Sequence, residues 1–105
     1  MSSGGLAGMW GFEVSAEALI ARWRAETAFM SSSSAMCALA SFKSIVALGK
    51  PAVPVLLREL EARGDHLDLA LRAITDENPV RESDAGNMER VVEAWLTWGR
   101  ENGYR

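Results

Sequence analysis

The sequence holds one histidine, His66, and one thiol, Cys37, which leaves little material for nucleophilic chemistry. A catalytic serine or cysteine needs a base within hydrogen-bond reach. His66 and Cys37 fall in different helical segments, and no neighbour in sequence marks either as activated. Cys37 reads as an inert core residue, the usual fate of a free cysteine. His66 reads as a surface residue in the first turn of a helix beside Asp65, with Asp68 close enough to orient it. Zinc requires three or four His, Cys or carboxylate ligands, and neither HExxH nor CxxC spacing occurs. The carboxylates Asp76, Glu77, Glu82 and Asp84 lack the EF-hand order around a central glycine, so they read as a solvated loop. No Walker loop or GxGxxG fingerprint is present, and the glycines of the MSSGGLAG start follow no strand. No catalytic, cofactor-binding or metal-binding residue is assigned, no cofactor is expected, and the chain is expected not to be an enzyme.

Tryptophan is the richer signal, with four in 105 residues. Helical spacing assigns Trp23 and Trp95 to the core. Trp98 stands at the edge of its helical arc, beside Arg100 and near Tyr104, and exposed Trp, Tyr and Arg are the commonest binding hot spots. Trp10 sits on an N-terminal arm that could dock on its own chain or on a second copy. Trp98, Arg100, Tyr104 and Trp10 are therefore the candidate partner-binding residues.

Composition bounds what can carry these groups. At 49% apolar with a net charge of −3, the chain can repay the entropy of folding one ordinary domain. Three prolines and one cysteine exclude collagenous and disulfide-scaffold classes. A lone thiol fits a reducing cytoplasm, and no signal-peptide or membrane-span pattern is evident. Scattered cations and an acidic balance argue against a nucleic-acid surface.

The apolar spacing predicts an all-α protein, a compact bundle of about five helices. Residues 1–14 read as a partly flexible arm, with Trp10, Phe12 and Val14 alternating as in an extended segment. Residues 15–105 read as a single helical domain. Ser15 is the expected cap of a first helix whose stripe is Ala16, Leu19, Ile20, Trp23, Thr27 and Met30, with Val14 and Leu19 as a hydrophobic staple. The serines at 31–34 break that helix and start a second near Ala35. Leu39, Phe42, Ile45 and Val46 form one of its faces, and Ala40, Ser41, Ser44 and Ala47 form another of small residues. Gly49 is the expected left-handed terminator. A third helix begins near Pro51, ends at Gly64, and is followed after a short turn by a fourth capped by Asp65. The polar segment from Thr75 to Gly86 reads as a loop, and a last helix starts near Asn87 with an apolar arc wide enough for more than one neighbour.

Residues 48–74, LGKPAVPVLLREL followed by a Gly-Asp turn and HLDLALRAI, resemble a HEAT-type repeat, in which a helix with AVPxLLxxL packs antiparallel to one with ALxAI. The resemblance implies one HEAT-like hairpin flanked by capping helices, and surfaces offered to protein partners. The wider string RWRAET, SIVALGKPAVP, ALRAIT, NPV and AWLTWGRENGY is similar to a group of small bacterial proteins without an assigned activity.

The function expected from these features is a non-catalytic protein-interaction module: an adaptor, a regulator or an antitoxin-like inhibitor. The alternative is a small-ligand protein or small enzyme with a pocket between helices, using Arg22, Arg72, His66 or the loop carboxylates. A protein partner is expected, and a homodimer would cover an exposed apolar flank.

Overall fold

The computed structural model describes residues 3–105, with side chains from residue 11 onward. About 74% of the chain is helical, and no strand occurs among the described residues. The six α-helices are α1 Ser3–Thr27, α2 Ser33–Ala38, α3 Ala40–Ala47, α4 Val53–Arg63, α5 Asp68–Thr75 and α6 Met88–Glu101. Short 3-10 turns occupy Lys50–Ala52 and Glu82–Asp84. Contacts divide the chain into two compact units, 1–48 and 49–105, where the sequence suggests one domain from residue 15. No single helix among the described residues is long and apolar enough to cross a membrane.

In the first unit α1 packs on α3, and α2 packs on α3. Ala16, Ile20 and Trp23, four and three residues apart, bury one stripe of α1 together with Met36, Phe42 and Ile45. The expected extended arm is corrected: α1 runs without a break through Phe12, Val14 and Ser15, so Ser15 is not a cap and no staple forms. The reason is propagation. Once the 16–23 stripe is packed, adding a residue to the helix end fixes little and gains a hydrogen bond, and no proline occurs before Pro51 to stop it. Three alternating residues are too few to outweigh that.

The second predicted helix is two. Leu39 adopts an extended conformation, with φ −68° and ψ 146°, and separates α2 from α3. The break releases the Met36 carbonyl, which in an unbroken helix would bond to residue 40. The buried Trp23 indole donates to it instead, at 3.1 Å. Ser32 caps α2 by accepting from the Ala35 amide at 3.3 Å, within the predicted serine run. The small-residue face of α3 is not a second contact surface, since Ala40, Ser44 and Ala47 are exposed. Only Ser41 is buried there, and its hydroxyl donates to Glu26 at 2.5 Å.

In the second unit α4 packs on α5 and α6, and α5 packs on α6. Val53, Leu56, Leu57 and Leu60 of α4 join Leu67, Ala70 and Leu71 from the α5 region and Val91 and Trp95 from α6 in one core. Each Leu or Val buried there contributes about 1.5–3 kcal/mol. Pro51 lies in the 3-10 turn and Pro54 in the first turn of α4, where missing N–H groups cost nothing. Gly49 does not end a helix in the left-handed helical conformation; its φ of 74° and ψ of −162° fall in a region open essentially to glycine alone. Asp65 acts one turn earlier than a helix cap, accepting from the Leu67 amide at 3.3 Å in an Asx turn that precedes α5. Asn87, near which the spacing starts the last helix, caps α6 by accepting from the Arg90 amide.

Candidate functional site

Trp98 is reassigned by its surroundings. It lies three residues after Trp95 on the inward face of α6 and is only 7% exposed. Its indole N–H donates to Glu77 at 3.2 Å, which ties the acidic loop to α6. Trp95 meets it edge to face, with centroids 5.2 Å apart, and Tyr104 stacks on it at 5.3 Å and 13°. The stacking follows from the helix end: the Tyr104 amide reaches back to the Gly99 carbonyl at 2.8 Å, folding the C-terminal turn over Trp98. Trp98 and Tyr104 are thus core and lid of an aromatic stack, not an exposed hot spot. Arg100 is exposed and donates to the Thr97 hydroxyl at 3.3 Å. The side chain of Trp10 lies outside the described residues.

The exposed large apolar side chains among the described residues lie instead in the first unit. Phe29, in the turn that ends α1, is fully exposed at 102%, and Val14 on α1 is 61% exposed. Phe29 lies off the first-helix stripe, which the spacing carries on to Met30; α1 instead ends at Thr27 and leaves Phe29 in the turn between helices. Its placement beside a run of serines, which supplies no packing partner, was the available clue.

Among the polar groups expected around a pocket, Arg72 and Glu82 fall on one lining together with Asp68. They border a cavity of about 440 Å³ in the second unit, whose apolar wall is Val80, Ala85 and Val91. Asn78 shapes the loop side, its carboxamide oxygen accepting from the Val80 amide at 3.2 Å across Pro79. Burial raises the Asp68 carboxyl above the ordinary aspartate value, against the smaller opposing pulls of His66 and Arg72. Arg22 is elsewhere, on the exposed face of α1 with Glu26 at 3.4 Å. His66 is exposed, and Cys37 is half-buried rather than buried. A more open groove of about 400 Å³ runs along α6, with Arg81 and Arg90 interspersed among Asp84, Glu93 and Glu101. Among the described residues, no three His, Cys, Asp or Glu groups converge as a metal site would require.

The fold defines the class, an all-α protein of two small helical units. No protein-family model, curated protein or solved structure matches the chain.

Proposed function

We propose that the chain is a non-catalytic helical interaction module that engages a protein partner through the exposed end of α1. The observation that carries this reading is Phe29. A fully exposed phenylalanine forgoes about 2–3 kcal/mol of burial that a partner surface would supply. The neighbouring Ser31–Ser34 run is exposed and would form the polar rim of such a contact. A HEAT-like role for the α4–α5 pair is consistent with their packing on each other across the short turn between Arg63 and Asp68, and with the presentation of surfaces to proteins. The single thiol goes with a reducing cytoplasm, where the module would act as an adaptor, a regulator or an antitoxin-like inhibitor.

The test is site-specific photo-crosslinking in the cells that produce the protein, with a photoreactive phenylalanine at position 29 and, as control, at the exposed Lys43 position. One discrete adduct from position 29 and none from position 43 is expected. An adduct of twice the chain mass identifies the partner as a second copy. The same faint smear from both positions overturns the reading.

A further inference from the structure

The cavity beside Asp68 lies in the second unit and has no part in the proposed contact at Phe29. It is built from three pieces of chain, Asp68 and Arg72 of α5, the loop from Asn78 to Ala85, and the first turn of α6. Its volume of about 440 Å³ is within the range of sites for small organic ligands, about 300–1,000 Å³. Its hydrocarbon lining comes from Val80, Ala85 and Val91, and its charged lining is two carboxylates, Asp68 and Glu82, with a single guanidinium, Arg72.

That charge balance selects the ligand. Burial acts on Asp68 more strongly than the attraction of His66 and Arg72 does, so the carboxylate is only partly compensated within the protein. A positive group entering the cavity would supply what is missing, whereas an anion would meet two carboxylates for one cation. The field of the surrounding unit acts in the same sense: residues 49–105 hold eleven acids and eight bases, while residues 1–48 hold three of each. A bare metal ion fits poorly, because among the described residues no third ligand converges and much of the lining is hydrocarbon. An ammonium group on a short hydrocarbon chain matches both kinds of lining.

We propose that this cavity binds a small organic ammonium ion, its charge balanced by Asp68 and Glu82 and its hydrocarbon part packed against Val80, Ala85 and Val91. The ligand class is a primary amine of a few carbons.

The experiment is an NMR titration of the full chain with n-butylamine at neutral pH and low salt, with n-butanol and butyrate as isosteres lacking the positive charge. Saturable shifts confined to the amides of 68–72, 78–85 and 91 are expected, with a Kd of about millimolar for so small a probe. Butanol and butyrate should bind at least tenfold more weakly. Asp68→Asn should weaken the amine at least tenfold. Ala85→Leu, which enlarges one lining side chain and leaves both carboxylates in place, should weaken the amine as well. Thermal melts of both variants establish that they fold. Non-saturating shifts, equal affinity for butanol, or amine binding unchanged in a folded Asp68→Asn variant would each overturn the proposal. Any of these results leaves the reading of Phe29 unaffected, since that residue belongs to the other unit.

Discussion

Two indole N–H groups hold segments that helical hydrogen bonding leaves loose, Trp23 on the Met36 carbonyl and Trp98 on Glu77. Trp23→Phe keeps the ring against Phe42 but strands a buried carbonyl, so a loss of about 1–3 kcal/mol is expected in urea unfolding. Trp98→Phe should cost about 1–2 kcal/mol, and a double-mutant cycle with Glu77→Ala should show most of it to be shared. Additive losses in that cycle would mean the bond contributes nothing. Acid titration separates two carboxylates. The Ser41 hydroxyl holds Glu26 below the ordinary glutamate value, with a smaller push upward from burial and further lowering by Arg22. Its stabilisation is therefore present at neutral pH and lost as pH falls through its folded pKa. Asp68 has the opposite sign: its raised pKa is a cost present above the folded value and relieved as pH falls below the ordinary aspartate value. Ser41→Ala should lower the urea midpoint at neutral pH, with the deficit narrowing in acid. Asp68→Asn should raise the neutral midpoint, and its advantage should disappear in acid. The core roles of Trp23 and Trp95 were legible from spacing. The role of Trp98 was not, because its partner Glu77 lies 21 residues away across a loop whose path periodicity does not describe.

Among the elements, α4 and α6 approach so closely that a Cβ on Gly99 would lie 2.6 Å from the Leu57 side chain. Leu57 is fully buried, so its side chain can yield only by moving against core neighbours. Gly99→Ala gains about 1 kcal/mol of helix propensity but meets an overpacking cost of about 1–3 kcal/mol, so a net loss of up to about 2 kcal/mol is expected. In a Leu57→Ala background the clash is gone, and the same substitution should become stabilising. Destabilisation of equal size in both backgrounds, read from denaturant melts, would contradict this packing. The start of α6 near Asn87 and the end of α4 at Gly64 were readable because each depends on residues within about one turn. The break at Leu39 was not, since it is tied to an indole thirteen residues back in the chain. Nor was the reach of α1 through Phe12 and Val14, where helix propagation overrode a local alternation.

At the scale of the molecule, the all-α class followed from composition and period, whereas the division into units 1–48 and 49–105 depends on which stripes meet, which no local pattern records. The units differ in what they offer. The first is neutral in formal charge and exposes Phe29; the second carries the entire net charge of −3 and the cavity at Asp68. Of the candidate contacts named near the C-terminus, Trp98 and Tyr104 pack on one another and Arg100 is exposed, while the exposed phenylalanine lies beside the serine run and off every predicted apolar stripe. The central claim, docking through Phe29, is tested most directly by affinity purification of the tagged protein and its Phe29→Glu variant from their own cells at native expression, with quantitative mass spectrometry and matched thermal melts. The account predicts one protein, a distinct partner or the untagged chain itself, recovered in near-stoichiometric amount with the wild type and at least tenfold depleted with the variant, whose melt is unchanged. Recovery of that protein at equal levels with both chains, or no such protein with either, would contradict it.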